Sequence, residues 1–129
     1  IYGYSLGNLD KRIQKTIEVI KNNIQTEVFE DMYKSPIDVN QLSELIIKEV
    51  LSDYTGIIHA GGKRISIYDF KKQALEALGL PTNNLIKTQM PLNPPVEMLR
   101  DTSLDNSLMK KLTGIKPNTI KEVLQKYKT

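Results

Sequence analysis

A chain of 129 residues with 40% hydrophobic side chains is long enough for one domain with a core of its own. Its net charge of +3 is small and its lysines and glutamates interleave. That pattern argues against a charge-driven nucleic-acid binder, and no zinc-ligand spacing or aromatic RNA-binding pattern points the other way. No apolar run approaches the roughly eighteen residues of a transmembrane helix, and the lack of cysteine excludes disulfides and thiolate chemistry and fits a reducing cytoplasm.

The chain opens on IYGYSLGN, with Ile1 where a start methionine would stand and no signal-peptide layout, so it is read as a fragment of a longer protein. Residues 9–23 set Leu9, Ile13, Ile17 and Ile20 on one face of a helix. TEVFE (26–30) alternates and is rich in strand formers, which predicts a strand. DMYKSPI follows as a loop, because Pro36 pushes Ser35 to an extended conformation. Asp38 is an N-cap with Gln41 completing a capping box. The helix it opens turns Val39, Leu42, Leu45, Ile46 and Val50 inward and ends near Asp53.

Gly56 to His59 reads as a short buried strand. Ser66, with Asp69 three residues on, caps a helix that stops at Gly79 and is closed by Pro81. Residues 81–97 hold four prolines and three asparagines around a strand, LIKTQM; a long proline-bearing loop in a small domain is a functional or mobile one. Asp105 caps a short helix ending at Gly114, and Asn118 caps a last one running to about Lys126. The result is a mixed, helix-rich α/β chain with short strands, without repeats or low-complexity tracts.

Three features of GIIHAGGKRISIYDF (56–70) and its continuation invite chemistry. His59 is the only histidine, and without a carboxylate pair beside it in sequence it reads as structural. Gly61-Gly62 precede the helix start by too many residues to form a phosphate nest at its N-terminus, so they read as a turn. Tyr68 and Lys72 share a helix face, where a lysine can lower a tyrosine pKa. A tyrosine acid without a cofactor to deliver hydride has no reaction to serve, so the pair is not read as catalytic.

Taken in order, IYG…GNL, DMYKSPIDVNQLSELI, GIIHAGG…ISIYDF and RDTSLDNSLMKKLTGI resemble the C-terminal part of the dTDP-4-dehydrorhamnose reductase family and its archaeal relatives. These enzymes belong to the extended short-chain dehydrogenase/reductase superfamily, which acts on nucleotide sugars. The resemblance implies the C-terminal, substrate-binding lobe of a Rossmann-type fold over residues 1–129, with the NAD(P)-binding part upstream of Ile1. The family's glycine-rich loop and its Tyr-x-x-x-Lys would lie there too, which puts Tyr68 and Lys72 in the wrong half to be that pair.

The resemblance further implies a nucleotide-diphosphate sugar as ligand, NADPH or NADH in the full-length enzyme, and reduction of a 4-keto sugar nucleotide in dTDP-L-rhamnose synthesis. No catalytic, cofactor-binding or metal-ligating residue is expected in this chain, and a homo-oligomer is a possible assembly. Asn8 matches the family's asparagine after the YG strand. Lys34 matches a basic residue that opens the segment KSPIDV, with an exposed loop lysine as the alternative. The family's Arg-Pro-x-Asp before SLD falls on MLRD, so Met98 and Leu99 stand at the arginine and proline, and Arg100 is two residues on. Residues two apart in an extended segment face one side, so Arg100 is expected to point into the same cleft as Asn8 and Lys34. An epimerase or dehydratase of the same superfamily, a non-catalytic regulatory subunit of this fold, and a plain helical interaction domain are the competing readings.

Overall fold

The computed structural model describes residues 1–94 and 97–126. A short hairpin pairs β1 (Tyr4–Ser5) with β2 (Asn8–Leu9) and runs directly into α1 (Lys11–Lys21). The Asp10 side chain caps α1 by accepting from Arg12 N at 3.1 Å and Ile13 N at 3.3 Å. This satisfies two of the donors that a helix N-terminus leaves unpaired. Ile13 and Ile20 are buried and Ile17 is half-buried, as the helical spacing predicts, while Leu9 sits in β2.

β3 (Thr26–Phe29) pairs in parallel with β6 (Leu85–Thr88), in a register that sets Val28 against Lys87. Parallel pairing requires a crossover connection, and α3 (Ile67–Ala77), which lies between them in sequence, packs on both strands. Ile20, Val28, Leu75 and Leu85 form the cluster they share. The Ser66 hydroxyl caps α3 by accepting from Asp69 N at 3.0 Å, and Gly79 leaves the helix at a φ of +72°, both at the expected places. On the other side of α3, Ala74 and Ala77 meet Tyr2, Ile13 and the apolar face of α5 (Ile120–Gln125). The two small side chains let the helices approach closely.

Lys34 belongs to no loop: Tyr33–Lys34 form β4, antiparallel to β5 (Ile65–Ser66), and Tyr33 also bridges Asp101 on its other side. Two-residue strands have no local signature, because their hydrogen bonds come from distant segments. α2 (Val39–Val50) is capped by Asp38 as expected, but Gln41 does not reach back to close a box. It spans to the turn before α5 instead, donating to Lys116 O at 2.9 Å and accepting from Asn118 N at 2.7 Å. That turn's true N-cap is Thr119, which forms the reciprocal capping box with Glu122, one residue after the expected Asn118. Before α4 (Ser107–Thr113), Asp105 does accept from Ser107 N at 2.8 Å, although the helix boundary falls at Asn106.

Leu45 of α2 is buried with Ile37, Met109 and Ile115, whereas Ile46 is 54% and Val50 78% exposed. The apolar run of α2 is therefore wider than the face its neighbours cover among the described residues. Gly56 to His59 lies beside this exposed stripe in sequence and is no strand, and Ile57 is 80% exposed. A strand exists only where another edge meets its N–H and C=O groups, and no described segment offers one. Pro95 and Val96 of the 81–97 loop lie outside the described residues.

Candidate functional site

β4 is the central line of the site. Its Tyr33 N–H donates to Arg100 O at 2.7 Å and its carbonyl accepts from Thr102 N at 3.1 Å, while Ser66 pairs with Tyr33 from the opposite side. This backbone frame carries Lys34 to the rim of a cleft of about 330 Å³. There the ammonium donates to Thr102 Oγ1 at 2.7 Å.

Two further cations line the same cleft. Arg12 comes from the first turn of α1, its guanidinium held by Asp10 at 3.3 Å and by the Ile1 carbonyl. Lys71 comes from the half-buried side of α3. Burial, and then the charge of Lys15, pull the Lys71 pKa below the ordinary lysine value. The wall is apolar, formed by Tyr2, Pro36, Ile65, Ile67 and Phe70, and among the described residues no carboxylate lines the cleft. Tyr2 and Phe70 meet edge to face with ring centroids 5.2 Å apart, which fixes that wall. Three cations over an apolar floor, with hydroxyl groups at hand, suit a phosphate-bearing organic anion.

The expected site residues separate. Asn8 lines an adjoining cleft that shares Ile1, Tyr2 and Arg12 with the first, and its amide donates to Leu6 O at 3.3 Å. Arg100 lines neither cleft. Its guanidinium is committed to the Asp31 carboxylate and reaches Met90 O at 3.3 Å and Pro91 O at 3.4 Å. The expected convergence of Asn8, Lys34 and Arg100 on one cleft is thus not what the chain builds. Arg100 is held away from the cleft by Asp31, a partner invisible in local sequence.

Arg12 and Lys71 complete the cleft and were not anticipated. Arg12 carried one readable signal: with Lys11 it puts positive charge in the first turn of a helix, against the helix dipole. Lys71 follows Phe70 on an amphipathic helix and carries none.

The tempting motif resolves into packing. Tyr68 packs against the Ile20–Val28–Leu75–Leu85 cluster with Lys87 5.0 Å from its ring centre, while Lys72 pairs with Glu76 at 3.8 Å. Gly61 and Gly62 are pressed against Ser35 and Pro36. A Cβ on Gly62 would lie 1.9 Å from the Pro36 carbonyl oxygen, so Gly62 is needed for close approach. His59 is exposed. Among the described residues, no cluster of His, Cys, Asp and Glu could hold a metal ion, and no helix is long and apolar enough to cross a membrane.

No protein-family model matches the sequence, and no curated protein matches it. Solved structures do. The chain is similar to a dTDP-4-dehydrorhamnose reductase from Bacillus anthracis in complex with NADP, with a TM-score of 0.74 and 16% identity over 98% of this chain and 43% of that one. A dTDP-4-dehydrorhamnose reductase from Clostridium acetobutylicum gives 0.72 and 22% over 98% of this chain and 45% of the other. A hypothetical dTDP-4-dehydrorhamnose reductase from Sulfolobus tokodaii gives 0.65 and 26% over 78% and 36%. A dTDP-glucose 4,6-dehydratase and a UDP-N-acetylglucosamine 4-epimerase share the fold as well. The chain spans less than half the length of each of the three reductase structures. What it builds is the α/β fold of the C-terminal part of the extended short-chain dehydrogenase/reductase enzymes, helices dominating and strands few and short.

Proposed function

We propose that this chain is the substrate-binding portion of an NAD(P)-dependent nucleotide-sugar reductase most like dTDP-4-dehydrorhamnose reductase, and that the cleft at Lys34 grips the diphosphate. The observation that supports this best is the meeting of Arg12, Lys34 and Lys71 in one cleft, with Asp10 behind Arg12 and no carboxylate among the described lining residues, on a fold shared with such reductases. A diphosphate accepts charge-assisted hydrogen bonds from ammonium and guanidinium groups. In this reading Asn8, which lines the adjoining cleft, meets a group extending from the diphosphate. Arg100 acts at one remove: its backbone carbonyl holds Tyr33, and its side chain anchors the segment that leads to Thr102.

The sequence holds no G-x-G-x-x-G stretch, the glycine spacing with which a strand-to-helix turn cradles a dinucleotide pyrophosphate. In this reading NADPH or NADH is held by the remainder of the longer enzyme. That remainder also covers the exposed stripe of Ile46, Ile47, Val50 and Leu51. Apolar groups aligned on one exposed face are the usual mark of a buried interface. An epimerase or dehydratase of the same fold would use the same grip, and product analysis of the full-length enzyme with a 4-keto sugar nucleotide separates these outcomes.

Calorimetric titration of the chain with dTDP tests the grip. Saturable binding is expected, weakened about tenfold or more by Lys34→Gln and likewise by Arg12→Gln, since one charge-assisted contact is worth about 1.5–3 kcal/mol. Absence of binding at millimolar dTDP, or variants that bind as the parent does, overturns the assignment.

A further inference from the structure

A second depression, of about 520 Å³, opens on the far side of Leu104, which lines both it and the Lys34 cleft. Lys63 and Arg64 enter it from the irregular segment just before β5, Lys110 from α4, and Lys116 from the turn before α5. Arg64 has its own carboxylate, Asp101, at 2.9 Å. Lys63, Lys110 and Lys116 hold no ion pair among the described residues. The one carboxylate lining the depression, Asp105, accepts from Ser107 N at 2.8 Å and Ser107 Oγ at 2.5 Å, and its charge offsets part of that of Lys110, leaving the cations in excess. Lysines gathered around one opening repel each other, and that repulsion is relieved when an anion enters.

The backbone beneath these cations is fixed. Asn106 Nδ2 donates to Gly61 O at 2.9 Å and Gly62 O at 3.1 Å, tying the loop that carries Lys63 to the start of α4. Gly62 is locked against Pro36 by a contact that no side chain could make. Arg64 lies 3.5 Å over the Tyr33 ring, and the Lys116 carbonyl is held by Gln41. Three segments of different origin are therefore pinned around one cationic opening.

From this arrangement we infer a second anion site, separate from the proposed diphosphate grip, that takes a compact polyphosphate. Lysines act as point charges without the planar fork that reads a single geometry, and Leu104 and Pro117 are the only sizeable apolar groups in the lining. Recognition there is of charge density, not of a base or a sugar. Inorganic polyphosphate and the phosphate tail of a nucleotide share that chemistry.

Amide-resolved NMR titration of the chain with inorganic tripolyphosphate, and in parallel with ADP, tests the site. Saturable shifts are expected at Lys63, Lys110 and Lys116, and they should weaken with added salt because the groups are exposed. The double substitution Lys110→Gln/Lys116→Gln, on exposed side chains that leave the fold intact, should reduce affinity at least tenfold while the shifts at Lys34 and Lys71 keep their midpoint. Tripolyphosphate, the more highly charged of the two, should bind the tighter at a site that reads charge density alone, and tighter binding of ADP overturns that reading. Shifts that do not saturate at Lys63, Lys110 and Lys116, or that the double substitution leaves unchanged, overturn the inference. Either result is read independently of binding at Lys34.

Discussion

Arg100 donates to one oxygen of the Asp31 carboxylate, and the other oxygen accepts the backbone N–H of Met90 at 2.8 Å. One acidic side chain thus clasps two ends of the proline-bearing segment, with the Arg100 guanidinium closing back onto the Met90 and Pro91 carbonyls. The clasp explains why a long, irregular connection lies in place beside β4. It also moves Arg100 from ligand contact to support.

Arg100→Ala should therefore lower stability by about 1–2 kcal/mol in a denaturant titration, the range of a charge-assisted bond with one partly exposed partner. Its effect on dTDP affinity should be smaller than that of Lys34→Gln. A tenfold loss of affinity at unchanged stability would return Arg100 to the grip.

Lys71 should show a conflict between stability and binding. Its pKa is lowered by burial first and by Lys15 second, so the folded chain holds that proton less tightly than the unfolded chain does. Between the lowered value and the ordinary one the unfolded state binds more protons, and stability rises with pH through that window. The penalty is present in full below the lowered value and is relieved as pH rises through that window. Lys71→Met should raise the stability of the unliganded chain by about 0.5–2 kcal/mol, toward the low end because solvent still reaches the ammonium. The same substitution should weaken dTDP binding, and a variant that is both less stable and equally good at binding contradicts the role given to Lys71.

The two neighbouring glycines should differ. A Cβ on Gly62 would collide with the Pro36 carbonyl oxygen at 1.9 Å, whereas one on Gly61 meets the Leu104 and Ser35 side chains at 3.1 Å. Gly62→Ala forces backbone to move and should cost about 2–3 kcal/mol or more, and Gly61→Ala less. Thermal unfolding of the two variants gives the order directly; equal losses would mean that the loop yields more easily than its contacts indicate.

Asp101 offers a test by acid titration. Hydrogen bonds from Ser103, side chain first and backbone second, hold its carboxyl down to about 2, with Arg64 adding to the effect. A carboxylate with a depressed pKa stabilises the fold above the ordinary carboxylate range, and that contribution is lost as pH falls through about 2. Carboxyl-resolved NMR should find the midpoint there. Ser103→Ala should raise it more than Arg64→Gln does; the reverse order would make the ion pair, not the serine, the principal cause.

What the sequence determined by itself is the set of features that depend on near neighbours. Ser66 with Asp69, Asp38 ahead of α2, the 3.6-residue spacing of Ile13, Ile17 and Ile20, and the glycine stop at Gly79 are all decided within one or two helical turns, where propensity and capping operate. The ordered motifs also pointed to the fold that the solved structures share. The tertiary structure decided everything that needed a distant partner. Tyr33–Lys34 became a strand because Ser66 and Asp101 arrived on its two sides, and Gly56 to His59 did not because no described edge met it. Ile46 and Val50 kept their helical spacing yet stayed exposed, since periodicity marks a face but not what covers it. Arg100 followed Asp31, which lies 69 positions away, instead of Lys34. Arg12, Lys34 and Lys71 became one cleft only when α1, β4 and α3 packed together, because a binding site built from separate segments has no spacing in the chain to read.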